Sequence, residues 1–349
     1  MRIAQVSTLL ERVPPERYGG VERVVAFLCD ELVDAGHEVT LYASGDSQTR
    51  AKLAAACPRA LRFAPDTPFR DYVGATYMKM MLEVLLDVDE YDVLHFHTGF
   101  YHLPTFHPYR HKSLTTIHMP LHLAPGAQPI LDAFAHLPYA AISAKQRSGM
   151  PSMNWRGVVH HGIPRDLYRL GSGDGGYLLF VGRIAPSKRP DRAIAIARAA
   201  GMPLKIVAKV DDVFQDYFRE TVEPHIDGDA VQFLGELADV EKQDLYGGAH
   251  ALLFPIDWEE PFGLVMIEAM ACGTPVVAWD MGSVAEVIDD GVTGFRVTDV
   301  DAAVRAVAAA GNLDRVAVRS GFERRFTAAR MANDYLALYE RLLAGAGSR

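Results

Sequence analysis

Two successive arrays of short apolar segments alternating with amphipathic segments predict an α/β protein with two doubly wound parallel-sheet domains. A glycine-rich stretch between the arrays and a length of 349 residues point the same way. A chain of this length exceeds what one hydrophobic core usually organises. The composition, 49% hydrophobic and 23% charged with a mean hydropathy of +0.03, is that of an ordinary globular chain. No run approaches the roughly 18 uninterrupted apolar residues of a transmembrane helix, so none is expected. The start MRIAQVSTLL lacks a small-residue cleavage site. Cys29, Cys57 and Cys272 are scattered without a CxxC pair. Both features predict a cytoplasmic protein without a zinc site. The net charge is −9, and residues 1–165 balance 16 basic against 16 acidic side chains, so the excess lies wholly in the remainder. An acidic chain without a basic stripe argues against a nucleic-acid partner and gives no support for docking on anionic lipid.

In the first array, Arg2–Ser7 reads as a short apolar strand. A loop with Pro14 and Pro15 leads to Gly19 and Gly20. Val21, Val24, Val25, Leu28 and Leu32 then mark one face of a helix that stops at Gly36. Val39–Ala43 follows as a strand and completes a βαβ unit. The glycine pair lets backbone N–H groups approach a phosphate without a Cβ in the way, and it equally suits a plain turn. The loop lacks GxGxxG and is too long for a dinucleotide fingerprint. Tyr72–Val88 is a helix whose Met78, Met80 and Met81 read as core. Asp92–His97, Ser113–Ile117 and Tyr139–Ser143 are strands, and Val158–His161 closes the sheet. Seven histidines (His95, His97, His102, His107, His111, His118 and His122) fall in no metal-binding spacing, so no metal is expected. His118, at the end of a strand, is the candidate for substrate contact, although a structural histidine fits the same place.

Leu170–Gly176 (LGSGDGG) reads as a flexible linker. The second array opens with the strand Tyr177–Val181. Gly182 and Arg183 lie at its carboxyl end, and Lys188 precedes the helix Asp191–Ala200. A glycine with a forked donor and a point charge makes an anion cradle; the same residues also suit ordinary surface charge in a βα loop. Strands follow at Leu204–Lys209, Val231–Leu234, His250–Phe254 and Gly294–Val297. Helices are expected within Asp211–Ile226 and at Asp239–Tyr246, Asp301–Ala310, Leu313–Phe326 and Ala328–Leu343.

The stretch Asp257–Ala278 carries the clearest chemistry. Glu260 and Glu268 stand eight positions apart. Pro261 and Gly263 break the backbone between them, Leu264–Cys272 is helical, and Val276–Ala278 is a buried strand. One acid therefore precedes the helix and the other lies just over a turn inside it. Helix N-termini favour anions by about 0.3–1 kcal/mol per charge, and carboxylates accept hydrogen bonds from hydroxyls. A phosphate flanked by hydroxyl-bearing groups describes a nucleotide sugar, while a helix-start acid and a solvated or capping acid are the plainer use of the pair.

These segments together resemble the retaining glycosyltransferases of GT-B architecture, specifically glycosyltransferase family 4. The resemblance rests on GGVERVV (19–25), DVLHFH (92–97), TTIHMP (115–120), VVHHGIP (158–164), FVGRIAPSKRPD (180–191), VQFLGEL (231–237) and EEPFGLVMIEAMACGTPVVA (259–278). It implies two Rossmann-like domains facing across an interdomain cleft. Residues 1–168 would bind the acceptor, joined by a C-terminal helix, 328–349, that crosses back, and 169–327 would bind the donor. Arg183 and Lys188 would hold the donor diphosphate and stabilise the leaving group without a metal. Glu268 would accept the ribose hydroxyls and Glu260 the sugar hydroxyls. The amides of Phe262, Gly263, Leu264 and Val265 would meet sugar and phosphate, with Gly182 beside them and Gly19 and Gly20 approaching from the first domain. His118 would lie beside the sugar, and Val210, Glu236 and Leu237 near the base. The implied reaction moves a hexosyl unit from a nucleotide-diphosphate sugar, UDP-linked by preference, to a hydroxyl of a small-molecule, glycan or lipid-linked acceptor. The acceptor enters on the face the phosphate leaves, with no cofactor beyond the donor itself. A sugar-nucleotide epimerase on the same plan is the alternative; it would isomerise donor with no acceptor present.

Overall fold

The computed structural model describes residues 1–17, 19–63, 69–120 and 126–346. It divides into two compact units, Met1–Gly162 with Ala328–Arg349, and Ile163–Thr327.

The first unit contains β1 (Arg2–Val6), β2 (Glu38–Ser44), β3 (Lys52–Cys57), β4 (Val93–Phe96), β5 (Ser113–Thr116), β6 (Tyr139–Ala141) and β7 (Trp155–Val158). All pair in parallel, in the order β3-β2-β1-β4-β5-β6-β7. β4 and β5 are buried at every position, as expected for strands covered on both faces. The helix Gly20–Asp34 buries Val24, Val25, Leu28 and Leu32 and packs against the C-terminal helix Ala328–Ala346. That helix buries Met331, Tyr335, Leu338, Tyr339 and Leu342. A Cβ on Gly157 of β7 would come within 2.9 Å of Leu338, so glycine lets the helix lie close on the sheet. In the helix Phe69–Leu86, Met80 and Met81 are core, but Met78 is 74% exposed and lies off the buried face.

The second unit contains β8 (Leu178–Ile184), β9 (Leu204–Val210), β10 (Val231–Gly235), β11 (Ala251–Phe254), β12 (Val276–Trp279) and β13 (Gly294–Val297). They are again parallel, in the order β10-β9-β8-β11-β12-β13. Where one helix was expected within Asp211–Ile226, the chain makes a series of short turns, including a π turn at Phe218–Val222.

Two expectations are corrected here. Residues 163–168 belong to the second unit. Ile163 bridges Thr327, Arg165 pairs with Glu323 at 3.2 Å, and Tyr168 donates to Asp239 at 3.0 Å. The glycine-rich stretch is also no free linker. The amides of Gly171, Gly173 and Gly175 donate to the carbonyls of Cys272, Gly247 and Gly248 at 2.9–3.0 Å. A Cβ on Gly171 would overlap the backbone of Gly247, so these glycines serve close backbone packing. Arg315 ties the junction by donating to the carbonyls of Gly171, Ala249, Gly247 and Cys272 and to Thr274 Oγ1. Arg315→Ala is expected to cost about 3–5 kcal/mol, since several buried acceptors lose a charged donor at once. Arg315→Lys restores little of it, because an ammonium cannot reproduce the fork. Urea unfolding of the three proteins reads both effects.

Candidate functional site

In open parallel sheets, ligands bind beyond the carboxyl ends of the strands, where the strand order reverses. In the second unit that point lies between β8 and β11, and the loops after these two strands carry the predicted residues. Arg183 is the penultimate residue of β8, in register with Lys209 of β9. Both cations reach Asp211, Lys209 at 3.0 Å and Arg183 at 3.4 Å. Burial pushes the Asp211 carboxyl up, but the two cations more than offset this and hold it below the usual carboxylate range.

Lys188, in the loop after β8, forms an ion pair with Glu260 in the loop after β11. The Trp258 indole N–H donates to the same carboxylate oxygen at 3.0 Å. Lys188 Nζ also lies 4.5 Å from the centroid of the Trp258 ring, within the range of a cation–π contact. The two loops are joined by the Asp257 amide, which donates to the Ser187 carbonyl at 2.8 Å.

Gly263 caps the helix Leu264–Ala271 with φ +83°, a left-handed conformation. A Cβ there would also press Met266 at 2.8 Å and Phe254 at 3.1 Å, so position 263 demands glycine. Ser283 holds the loop, its hydroxyl donating to the Phe262 carbonyl and its amide to the Glu260 carbonyl. Phe262 itself is buried, whereas Leu264 and Val265 remain partly exposed. The first turn contains no acidic side chain, so the positive end of the helix dipole is left for an anion from outside.

Glu268 is only 1% exposed. It accepts from the Tyr246 hydroxyl at 2.6 Å and lies 3.7 Å from Lys242 Nζ. Burial first, and the neighbouring Glu268 charge second, push the Tyr246 phenol well up and the Cys272 thiol to about 12. Val210 ends β9, and Glu236 and Leu237 directly follow the adjacent strand β10.

In the first unit, Gly19 packs on Pro15, which a Cβ would approach to 2.8 Å; Gly20 is exposed. The helix that Gly19 caps and Gly20 opens carries its own acid, Glu22, in its first turn, accepting from Thr8. Burial raises the Glu22 carboxyl, against the Thr8 hydrogen bond. In β4 and just beyond the ends of the strands, His95, His97, His118 and His161 join into one hydrogen-bonded array, while His102 pairs separately with Thr98 and Thr115. His118 Nε2 lies 2.8 Å from His97 Nδ1, and His118 Nδ1 lies 3.4 Å from His161 Nε2. His97 Nε2 meets Gln5 Oε1 at 2.9 Å, and Gln5 Nε2 donates to the Tyr339 hydroxyl at 3.0 Å. Tyr339 lies 2.7 Å from His95 Nδ1, whose Nε2 is 2.7 Å from Thr116 Oγ1; Tyr335 ends the series at 3.0 Å. Burial pulls His95, His97 and His161 well below the ordinary histidine value and His118 to about 3. These rings are neutral at pH 7. His122 lies outside the described residues.

Comparison with known proteins bears on this arrangement. The description Glycosyltransferase Family 4 matches residues 18–199, and Glycosyl transferases group 1 matches residues 169–316. The chain belongs to glycosyltransferase family 4. A D-inositol 3-phosphate glycosyltransferase 2 of Catenulispora acidiphila is 39% identical over 155 residues, which is 40% of this chain and 36% of that protein. This chain thus aligns with about a third of that relative's length. The phosphatidyl-myo-inositol mannosyltransferase of Mycolicibacterium smegmatis is 29% identical across 93% of this chain and 88% of its own. The crystal structure of AviGT4, a glycosyltransferase involved in avilamycin A biosynthesis, superposes with a TM-score of 0.73. It is 25% identical and covers 99% of this chain and 98% of its own.

Most of the predicted site residues lie in the second unit of the protein. Sequence reasoning missed Lys209, Asp211, Tyr246, Lys242 and Trp258 around its second-unit site. Lys209 was legible as a cation at the end of the strand beside Arg183; Tyr246 and Lys242 reach Glu268 from a helix that precedes it by some twenty residues and gave no local signal. Among the described residues, no group of three or more His, Cys, Asp or Glu side chains could hold a metal ion. No described helix is long and apolar enough to cross a membrane. Gly182 offers a test of close approach. A Cβ there would meet only Phe180, at an ordinary 3.8 Å. The fold does not require glycine at 182, so Gly182→Ala is expected to keep wild-type stability; a nucleotide bound against this position would lose about tenfold in affinity, read by calorimetric titration.

Proposed function

We propose that the protein is a retaining hexosyltransferase that uses a nucleotide-diphosphate sugar, UDP-linked by preference, and needs no metal. The observation that carries this reading is the placing of Arg183 at the carboxyl end of β8, and of Lys188 and Glu260 on the two loops at the strand-order reversal, beside a helix start without acids. Arg183 and Lys188 bind the diphosphate and stabilise the charge that develops as it leaves. The amides of Phe262, Gly263, Leu264 and Val265 receive the sugar and the β-phosphate, with Gly182 beside them. Glu260 anchors sugar hydroxyls, Glu268 takes the ribose hydroxyls, and Val210, Glu236 and Leu237 line the base. His118, Gly19 and Gly20 are the first unit's candidates for substrate contact. The acceptor hydroxyl attacks on the face from which the phosphate departs, and a leaving phosphate oxygen takes its proton. The anomeric configuration is therefore kept without a covalent carboxylate intermediate.

The three cysteines are unpaired, which supports a reducing compartment and a cytoplasmic enzyme. The relatives' names make inositol phosphates and phosphatidylinositol the first acceptors to try. Melting-temperature shifts with UDP, GDP and ADP test the donor side. A rise with UDP that disappears in Glu268→Ala is expected; no rise with any of the three at millimolar concentration contradicts the reading.

A further inference from the structure

The array in the first unit runs as one chain of eight side chains, His161, His118, His97, Gln5, Tyr339, His95, Thr116 and Tyr335. A neutral imidazole has one N–H and one lone pair, so each ring passes a direction to the next. Gln5 Oε1 can only accept, so the proton of His97 sits on Nε2. His97 Nδ1 is then a lone pair and must accept from His118 Nε2–H. On the other side Gln5 Nε2 donates to Tyr339, Tyr339 donates to His95 Nδ1, and His95 Nε2–H passes the direction on to Thr116 and Tyr335. Reversing any link requires the Gln5 amide to turn over and every later proton to move with it, so the chain is all-or-none.

We propose that Gln5, His97 and Tyr339 are positioning residues that hold the His118 proton on Nε2, so that His118 offers a substrate hydroxyl its Nδ1 lone pair. This rests on the proposed reading of His118 as a substrate contact. His161 approaches Nδ1 only at 3.4 Å, a weak contact that a hydroxyl can replace. His118 is the partly exposed member, whereas Gln5, His95, His97, Thr116, Tyr335 and Tyr339 are buried. The C-terminal helix supplies both tyrosines, and Arg330 of the same helix donates to the carbonyls of His160 and His161 at 2.8 and 2.9 Å. The helix thereby sets the protonation of a residue far from it in sequence.

Nitrogen NMR of histidine-labelled protein reads the tautomer directly, with His118→Gln identifying the signal. The expected result is a single tautomer with the proton on Nε2; a proton on Nδ1 in the wild type overturns the proposal. Tyr339→Phe cuts the chain, and is expected to give mixed His118 tautomers and a kcat about tenfold lower with KM for the donor unchanged. Tyr42→Phe removes a buried phenol of the same unit outside the chain, one that bonds Asp87 and Tyr91. It should change neither reading. An unchanged His118 signal in Tyr339→Phe, or the same loss in Tyr42→Phe, removes Tyr339 from the positioning role. If no donor supports transfer, the functional reading fails, while the tautomer is still decided by the wild-type spectrum.

Discussion

Lys188→Ala is expected to lower turnover about 10²–10³-fold, the size found when one preorganised donor to a developing negative charge is removed. Before a donor binds, Lys188 is neutralised by Glu260 and stacked on Trp258. On the proposed reading a diphosphate would compete for this cation, and its arrival would free the Glu260 carboxylate for sugar hydroxyls. Glu260→Gln separates the two roles. The amide still accepts from Trp258, but it no longer neutralises Lys188, so UDP alone should bind more tightly while transfer slows. Opposite signs in calorimetric titration and in kcat are the signature of that exchange; parallel losses would mean that the pair only holds the loops together. The pair also has a stability cost when broken. The Glu260 side chain is 11% exposed, and stripping its cation should destabilise by about 2–3 kcal/mol, less than the 3–5 of a fully buried pair. Urea unfolding measures this independently of turnover.

The first unit should lose stability steeply in mild acid. His95, His97, His102, His118 and His161 all have folded-state pKa values below the ordinary 6.5, with burial the leading cause. For His102 and His118 the fall reaches about 3. A group with a depressed folded pKa of this kind binds its proton in the unfolded chain first. Its stabilisation is therefore complete above about pH 6.5 and is lost as the pH falls towards 3. Between pH 7 and 5.5 each such histidine forfeits roughly 1 kcal/mol, and together they forfeit about 5–6 kcal/mol. Ordinary carboxylates titrate lower and contribute little in this window. Glu22, Asp30 and Glu31 act in the opposite sense, since burial raises each of them, and they offset part of this loss. Hydrogen exchange at β1, β4 and β5 isolates this unit from the other. Protection that stays level from pH 7 to 5.5 would contradict the neutral array.

Much of the fold was legible because the strands beneath the site are short β-branched or aromatic runs followed by amphipathic helices. β3 escaped because KLAAAC has neither alternation nor β-branched residues; it is a strand through pairing with β2, a tertiary effect. The glycines of 171–175 looked like a linker because composition cannot tell flexibility from close backbone packing. At the candidate site, Arg183, Lys188, Glu260 and Glu268 stood out by spacing around strand ends and a helix start. Their partners did not. Trp258 and Ser283 act through folded geometry, and Tyr246 meets Glu268 across a helix and a strand. The histidines were visible as a cluster, but their meaning lies in the order of their contacts. That order runs through Gln5 and Tyr339, 334 positions apart.

The most direct test is transfer itself, followed by proton NMR with UDP-, GDP- and ADP-linked hexoses and a pool of hydroxyl acceptors that includes inositol phosphates and phosphatidylinositol. The expected result is acceptor-dependent release of nucleoside diphosphate, from the UDP-sugar by preference, with a product whose anomeric coupling matches that of the donor. A product of inverted configuration, or isomerised donor sugar formed without any acceptor, would contradict a retaining transferase.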